Sequence, residues 1–340
     1  MSAARPRRGD TSRAAVLPRS VTVALLLAAA TAALAIVALM LGDYPLTAAQ
    51  VLHALTGSAG FESTVVLEWR LPRVTAAVLF GAALAISGAL FQTLTRNPLG
   101  SPDLIGFATG SYTGVIVVTV VLGTGVVTTT AGALLGGFAT AILVYLLAYR
   151  RGVQGFRLIV VGIGVTATLH AINTWLLLRA QDEVAMGAAI WGTGSLSLAS
   201  WADVVPAVGV LLITAPLVVW ASRPLRQLEL GDDAAAAHGV RVEPARLAII
   251  GLGILLTALV TAATGPIAFI ALSAPQIARR LGAGPGIPLP HAALTGAFLL
   301  LGADLVAQYV PPNPVPVGVV TVVLGGAYLL GVLVREARRS

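Results

Sequence analysis

The stretch LAIIGLGILLTALVTAATGPIAFIALSAPQIA, residues 247–278, decides the fold, because it carries no charged side chain and is too long to cross a membrane once. A spanning helix needs about 20 apolar residues, and Gly265 and Pro266 interrupt this stretch near its middle. One arginine directly precedes the stretch and two follow it, so an even number of crossings would keep all three on one side. We therefore predict two short helices that meet at Gly265–Pro266 and are buried in protein or line a cavity.

The composition of the whole chain is that of a membrane protein. Of the 340 residues, 57% are hydrophobic and 10% are charged, and the mean hydropathy is +0.92. Soluble domains are about 45–50% apolar and about 25% charged. The composition therefore argues against a water-soluble enzyme.

Two residue types are missing from the chain, and their absence removes several kinds of chemistry. Without cysteine there can be no disulfide, thiolate zinc site, Fe–S cluster or cysteine nucleophile. All 21 basic residues are arginines, and without lysine there is neither a P-loop for ATP nor a Schiff base. The HExxH and GxSxG motifs are also missing from the sequence. We therefore predict no catalytic residue, no metal ligand and no cofactor bound by this chain.

Further apolar segments flank the central stretch and are long enough to cross a bilayer core of about 30 Å. The first of them exceeds the apolar region of a cleaved signal peptide, which is about 7–15 residues, so we expect a true span. Together with the two central helices they bring the predicted total to ten. These eight segments are 21–41, 74–94, 104–122, 126–149, 158–178, 204–221, 291–309 and 315–334.

The arginines orient the predicted spans. Eighteen of them fall on one side of the predicted topology, and only Arg70, Arg73 and Arg179 fall on the other. Because cytoplasmic loops carry the excess of basic residues, we expect both termini in the cytoplasm. The formal net charge of +7 is then an orientation signal and does not indicate a nucleic-acid partner. We predict cytoplasmic tails at 1–20 and 336–340 and a single ten-helix domain at 21–335.

The predicted spans are poor in ionisable groups. Ion-coupled carriers usually place carboxylates, histidine or arginine in the bundle interior, but here only Asp304 and His170 are candidates. We expect Asp304 to be a packing or near-interface acid and His170 to be a hydrogen-bonded packing residue. Small residues are frequent instead, with 37 glycines in the chain, and they let helices approach closely in lipid.

An outer loop, 68–73, reads EWRLPR and carries Arg70 and Arg73 among outer acids. Physical chemistry alone supports two interpretations equally. The loop can anchor in the headgroup layer, with Trp69 in the interfacial aromatic belt. Alternatively, the two guanidinium groups can dock carboxylates of an acidic soluble partner, because such rim charges set association rate and register.

An inner loop, 92–103, is read as a tight turn between two helices. Pro98 ends the first helix. Ser101, Pro102 and Asp103 follow as an N-cap, a first-turn proline and an early acid of the next helix.

A longer inner segment, 223–246, contains a short predicted helix at 230–239. Two aspartates favour its N-terminus, four alanines propagate it, His238 suits its C-terminal dipole, and Gly239 ends it. A helix this short is marginal in water by itself. It therefore rests either on its own membrane domain or in the groove of a partner protein.

These loops, in this order, resemble the FecCD family of ABC-importer permeases over essentially the whole chain. Within that family the residues are most similar to a permease subunit of ferric-enterobactin importers. The family-level motifs are RLPR at 70–73, GAAL at 81–84, SGALFQ at 87–92, RNPL at 96–99, LGDDAA at 230–235 and PVGVVT at 316–321. The closer matches are 68–73, 96–103, 156–159 with 162–165, 173–178 and 265–272.

The resemblance implies an all-α polytopic protein of the bacterial inner membrane with about ten transmembrane helices, the type II ABC importer permease fold. Its cargo would be an iron(III)–siderophore complex of the catecholate, enterobactin type. Its partners would be a second FecCD-type permease, two subunits that bind ATP and Mg²⁺, and an extracytoplasmic siderophore-binding protein. No cofactor would be bound by this chain.

The resemblance also implies roles for particular residues. Arg70 and Arg73 would meet acidic groups of the binding protein. The coupling helix seated on the ATPase would comprise Leu230, Gly231, Asp232, Asp233, Ala234, Ala235, His238 and Gly239. Residues that would line or gate the pathway are Gln92, Arg96, Asn97, Pro98, Asn173, Gly265, Pro266 and Pro275.

Several positions depart from the family pattern and blur the substrate. Gln276 stands where many members have histidine, and Pro314 stands where glutamate is usual. Gln308 lies where some relatives have arginine, which weakens any third docking charge. The alternatives left open are a FecCD permease for another chelate (hydroxamate siderophore, haem or cobalamin) and a stand-alone, ion-coupled secondary transporter.

Overall fold

The computed structural model describes residues 19–57, 60–122, 126–149, 155–282 and 288–337. Within these ranges the chain forms helices and loops without a β-strand, as the predicted all-α class requires. Two π-helical segments, Val65–Arg70 and Val117–Leu122, and one 3₁₀ turn, Pro102–Ile105, adjoin the α-helices. The α-helices are α1 (Arg19–Met40), α2 (Ala48–Leu55), α3 (Phe61–Thr64), α4 (Leu71–Thr95), α5 (Phe107–Ile116), α6 (Val126–Ala148), α7 (Gly155–Leu177), α8 (Asp182–Thr193), α9 (Trp201–Glu229), α10 (Asp232–Ala237), α11 (Val242–Thr264), α12 (Ile270–Gly282), α13 (Leu289–Tyr309) and α14 (Val317–Ala337).

Seven helical segments of the described chain are long and apolar enough to cross a membrane. They are α1, the continuous run Phe61–Thr95 that ends with α4, and helices α6, α7, α9, α11 and α13. Two shorter apolar helices, Phe107–Val121 and Val317–Gly331, correspond to two further predicted spans. The protein is thus a multi-pass membrane protein, whereas the total of ten spans stays a prediction.

The central stretch is interrupted where the sequence indicated, but its first half is not short. Residues 265–269 are not helical and separate α11 from α12. The prediction of two short helices is wrong for α11, which has 23 residues and a length of about 35 Å. Its helix begins at Val242, ahead of Arg246, because that arginine is buried and paired and does not end the helix. Only α12, with 13 residues, is too short to span.

Apart from α10, three α-helices and one helix extension lie outside the predicted spans. The helices are α2, α3 and α8, and for α2 a local signal exists, because Thr47 and Gln50 form a capping box at its start. Helix α9 continues to Glu229, past the predicted end at residue 221. The inner segment 223–246 is therefore mostly helical, and only 230–241 connects α9 to α11.

Helix α4 lies at the centre of the molecule, packed against α9, α11, α12 and especially α13. At the α4–α13 crossing the two backbones touch, because a Cβ atom on Gly81 would overlap the carbonyl oxygen of Gly296. At the α4–α12 crossing a Cβ atom on Gly88 would overlap the carbonyl oxygen of Ala271. The small residues of the spans thus serve close helix packing, as predicted.

A second cluster of buried side chains joins α5, α6 and α7 to the inner part of α11. Here Gly114 of α5 lies directly against Gly132 of α6, where added Cβ atoms would overlap backbone. Phe107 is fully buried at the start of α5 and meets Phe138 of α6 edge to face. The loop 96–100 and the 3₁₀ turn lie between this cluster and the central one.

Candidate functional site: an outer arginine pair and an inner coupling junction

Arg70 closes the end of α1. It is the last residue of a π-helical segment, and its guanidinium Nη1 donates to the carbonyl oxygens of Leu39 and Met40 at 2.7 and 3.3 Å. Its Nη2 donates to the carbonyl oxygen of Tyr44 at 2.6 Å. Carbonyl groups at a helix C-terminus lack partners within the helix and carry partial negative charge. Arg70 therefore caps α1 and fixes the loop that follows it.

Arg73 forms a two-point ion pair with Asp304 of α13. Its Nε and Nη2 lie 2.9 and 2.8 Å from the two carboxylate oxygens. Asp304 is 3% exposed and also accepts a hydrogen bond of 2.7 Å from Gln308. Bidentate pairs of this kind are strong and directional. The pair joins α4 to α13, which agrees with the prediction of Asp304 as a packing acid.

The docking prediction for these arginines now has a structural alternative. Arg73 keeps 19% of its side chain exposed, and its Nη1 has no hydrogen bond to any residue that the structure describes. The neighbouring Trp69 is 58% exposed and packs edge to face on Phe61. The headgroup-anchor interpretation thus retains support, while docking stays a prediction.

Asp304 as the partner of Arg73 was missed by the sequence reasoning, since 231 positions separate the two residues. The predicted topology contained a signal that could have identified this ion pair. That topology placed the start of α4 and the end of α13 at the same outer side. An arginine and an isolated acid at similar depth are natural partners, because each would otherwise be buried unpaired.

At the face that the arginine distribution predicts to be the inner one, the short helix predicted at 230–239 is confirmed as α10, Asp232–Ala237. It ends as the sequence indicated: Gly239 has a positive φ of 82°, and its N–H donates to the carbonyl of Ala236. The N–H of Val240 donates to the carbonyl of Ala235, which completes a Schellman cap. The His238 ring nitrogen Nδ1 lies 2.8 Å from the carbonyl oxygen of Ala234.

Helix α10 rests on its own membrane domain. Ala235 is fully buried against the inner end of α9, whereas Asp233 and His238 are exposed. One of the two supports left open by the sequence is therefore present in the structure. The exposed face of α10 is free to meet a second surface.

Asp232 connects three elements at this inner face. One carboxylate oxygen lies 3.0 Å from Nη2 of Arg96, and the other lies 2.8 Å from Nη2 of Arg246. Arg246 is 9% exposed at its side chain and also bonds Glu243 at 2.6 Å. Arg96 in addition donates to the carbonyl oxygen of Leu228 at 3.2 Å. We call the contacts of Arg96, Asp232 and Arg246 the coupling junction.

The loop 96–100 continues from the coupling junction to α12. Arg96 has a left-handed backbone with φ of 50°, which ends α4 and turns the chain. Gln276 of α12 donates to the carbonyl oxygen of Pro98 at 2.7 Å, and Gln92 donates to that of Leu272 at 2.8 Å. The glutamine at 276, a departure from the family pattern, thus ties the loop to α12.

The structure brings together only part of the predicted pathway set. Gln92, Arg96, Asn97 and Pro98 form one group, and α12, which contains Pro275, contacts it. Asn97 accepts a hydrogen bond from the N–H of Leu99 and so shapes the turn. Asn173 lies apart in α7, buried and without a hydrogen bond for its amide within the described chain.

Gly265 and Pro266 lie at the opposite end of α11 and meet two other elements. The N–H of Ser195, after α8, donates to the carbonyl of Thr264 at 2.8 Å. The N–H of Gly318, in α14, donates to the carbonyl of Gly194 at 3.0 Å. These two bonds hold the segment after α8 against the end of α11 and against α14, and Gly265 packs on the backbone of that segment.

Asp103 and His170 lie in different environments. Burial raises the pKa of the Asp103 carboxyl from its usual 3.8 to about 6. Asp103 lies in the 3₁₀ turn before α5, outside the apolar helix that follows. His170 is exposed on α7, and its ring forms no hydrogen bond within the described chain. The prediction of a hydrogen-bonded packing histidine is therefore wrong for the described chain.

Comparison with known proteins agrees with this architecture. The family model of the FecCD transport family matches residues 27–335. The ferric enterobactin transport system permease protein FepG of Escherichia coli (strain K12) is 49% identical over 95% of this chain and 98% of its own length. The achromobactin transport system permease protein CbrC of Dickeya dadantii (strain 3937) is 36% identical over 93% of this chain and 91% of its own.

Among solved structures, this chain is similar to a protein described as a metal-chelate type ABC transporter in an inward-facing conformation. The TM-score is 0.80 at 28% sequence identity, and the match covers 93% of this chain and 99% of that one. The hemin transport system permease protein HmuU of Yersinia pestis is 36% identical over 79% of this chain and 83% of its own length. Relatives that are named for different cargoes thus share the sequence pattern.

Proposed function

The chain belongs to the FecCD transport family, and we propose that it is the permease subunit of an ABC importer for an iron(III)–siderophore of the catecholate, enterobactin type. The observation that carries this proposal is the 49% identity to the ferric enterobactin permease along nearly the full length of both chains. The relatives named for ferric dicitrate and for hemin are 37% and 36% identical to this chain, respectively. The difference in identity supports the catecholate class over the other chelates.

ATP hydrolysis is assigned to a partner chain in this proposal. The sequence lacks lysine and hence a P-loop, so energy must come from two ATP-binding subunits that carry ATP and Mg²⁺. The exposed face of α10 supports the seat of one such subunit. A second, related permease and an extracytoplasmic binding protein complete the proposed importer. The chain would lie in the inner membrane with both termini in the cytoplasm, as the arginine distribution favours.

The coupling junction gives this proposal a physical route. A displacement of α10 would be transmitted through Asp232 to Arg96 at the end of α4 and to Arg246 in α11. From the loop 96–100 it would pass to α12 through Gln276. Because α12 begins directly after the interruption 265–269, it is the element freest to tilt when the loop moves. We infer that α12 carries the inner gate.

Docking of the binding protein is proposed at the outer arginine pair. The free edge of Arg73, with Nη1 unbonded within the described chain, supports contact with a carboxylate while Asp304 holds the opposite edge. Arg70 would act by fixing the loop after α1. Cargo selectivity would reside mainly in the binding protein, because the spans offer almost no charge to an anionic complex.

A growth and uptake assay tests the cargo. A strain that lacks its own ferric-enterobactin permease, with the remaining importer genes of this chain's source supplied, is given this chain under iron limitation. We expect uptake of ⁵⁵Fe-enterobactin to be restored, and uptake of a ferric hydroxamate, ferric citrate and haemin to stay at background. Restored uptake of one of the other chelates instead would overturn the catecholate assignment.

A second experiment separates the ABC class from an ion-coupled carrier. Purified complexes are reconstituted in vesicles, and uptake is measured with ATP inside or with an imposed proton or sodium gradient. Only ATP should drive uptake, and the complex should contain an ATPase chain. Gradient-driven uptake by this chain alone would contradict the proposal.

A further inference from the structure

A cavity of about 620 Å³ lies beside the coupling helix, where the inner end of α9 meets the residues after α10. Its lining is basic, with Arg223 and Arg226 from α9 and Arg241 and His238 from the opposite wall. No acidic side chain lies among the described residues that line it. We refer to Arg223, Arg226 and Arg241 as the cavity arginines.

The cavity arginines differ from the two arginines of the coupling junction in having no partner. Arg96 and Arg246 share the carboxylate of Asp232 at 3.0 and 2.8 Å. The cavity arginines are exposed, and none forms an ion pair or hydrogen bond with a residue that the structure describes. Three like charges around one concave surface repel each other, so the cavity favours an anion.

The position of the cavity at the end of an apolar helix face points to a lipid. Ile213, Leu217 and Trp220 follow each other at helical spacing along one face of α9 and are 70%, 48% and 52% exposed. This apolar face leads directly into the cavity, because Trp220 is one of its lining residues and Arg223 follows one turn later. A tryptophan followed by arginine at the end of an apolar helix marks the headgroup layer.

We propose that this cavity binds an anionic phospholipid. The phosphate group of the lipid accepts hydrogen bonds from the cavity arginines. One acyl chain lies along the exposed face formed by Ile213, Leu217 and Trp220. The lipid would thereby pack next to His238 and the coupling helix. This site does not depend on the cargo or on the energy source proposed above.

The test uses the purified complex in vesicles of phosphatidylcholine with spin-labelled phosphatidylglycerol or spin-labelled phosphatidylcholine as probe. The protein-immobilised fraction of each probe gives its relative affinity. The wild type should prefer phosphatidylglycerol. Replacing all three cavity arginines by glutamine should abolish that preference, at about fivefold for each charge removed.

A matched control removes three inner arginines elsewhere. The variant with Arg157→Gln, Arg279→Gln and Arg280→Gln loses the same net charge but leaves the cavity intact. It should keep the preference for phosphatidylglycerol. Thermal unfolding in detergent shows that both variants are folded.

Three results would overturn the proposal. The first is an equal loss of lipid preference in the control and in the cavity variant, since a diffuse charge effect would then suffice. The second is complete displacement of the lipid probe by inorganic phosphate, which would assign the cavity to a free anion. The third is loss of a protein subunit from the complex in the cavity variant with the lipid preference unchanged, which would assign the cavity to a protein partner.

Discussion

Asp103 carries a pH dependence that a single substitution isolates. Its carboxyl has a pKa of about 6 in the folded protein, above the usual 3.8, because burial disfavours the charge. Between these two values the folded state binds more protons than the unfolded state, so stability falls as the pH rises from about 4 to about 6. Above pH 6 the full penalty is present.

We therefore expect Asp103→Asn to raise the unfolding temperature in detergent at pH 7.5 and to have about half that effect at pH 5. The neutral amide has no charge to bury, so the variant loses this part of the pH dependence. The exposed Asp233 of α10 provides the control, because Asp233→Asn removes the same charge from a solvated position. An equal shift at both pH values would show that burial of the charge is not the cause.

The pair of Arg73 and Asp304 predicts strong non-additivity. Arg73→Gln leaves the carboxylate of Asp304 buried with only Gln308 as a partner, which should cost about 3–5 kcal/mol of unfolding free energy. In the double variant Arg73→Gln, Asp304→Asn no buried charge remains, and most of that loss should be recovered. Denaturant unfolding of the four species of this double-mutant cycle measures the coupling. Simple additivity would contradict a buried ion pair.

The same double variant separates docking from folding. It keeps the α4–α13 contact but offers no guanidinium to the binding protein. We expect its affinity for the binding protein to fall and to lose much of its dependence on salt. Reversal of Arg73 to glutamate alone would not be decisive, because a carboxylate would then face Asp304. Unchanged affinity of the double variant would contradict the proposed docking site.

At the scale of the element, the coupling junction distinguishes two adjacent aspartates of α10. Asp232 bonds Arg96 and Arg246, while Asp233 is exposed and bonds no described residue. Asp232→Asn should therefore reduce ATP-driven uptake about fivefold, the equivalent of about 1 kcal/mol for a partly exposed pair. ATP hydrolysis by the complex should persist. Asp233→Asn should leave uptake near the wild-type rate, and equal effects of both would remove the junction from the route.

A substitution at Gly239 tests the stability of α10 independently of the coupling junction. Its φ of 82° suits glycine, and an added Cβ atom would meet no described atom within 4 Å, so only backbone strain opposes a side chain there. Gly239→Ala should loosen the end of α10 at a cost of about 1 kcal/mol. Gly251→Ala, in the interior of α11 with equally open space, should instead be neutral or stabilising. Amide exchange in 230–241 measures the difference.

Elements that are determined by residues close together in the sequence could be predicted, whereas elements that depend on distant contacts could not. The interruption at Gly265–Pro266 and the helix at Asp232–Ala237 follow from residues within a few positions, and both were predicted correctly. Helix α8 lies between the predicted spans 158–178 and 204–221, where no helix was predicted, although Asp182 and Glu183 in its first turn favour one.

At the scale of the whole molecule, local patterns do not encode which distant residues meet. The pairing of Asp232 with Arg96 spans 136 positions, and no spacing rule indicates it. The start of α11 was misplaced for the same reason. An arginine was taken as the boundary of a span, whereas its partners in the folded chain let the helix pass through it.

The contact of Gly81 with Gly296 has a practical consequence for measuring motion in this importer. The backbones touch there without an intervening side chain, and the pair of Arg73 and Asp304 ties the same two helices, so we expect α4 and α13 to move as one unit. The chain contains no cysteine, so spin labels can be placed singly on a background that needs no prior editing. A label pair across α4 and α13 should report the same distance in every nucleotide state. That pair is an internal ruler against which a displacement of α12 can be calibrated.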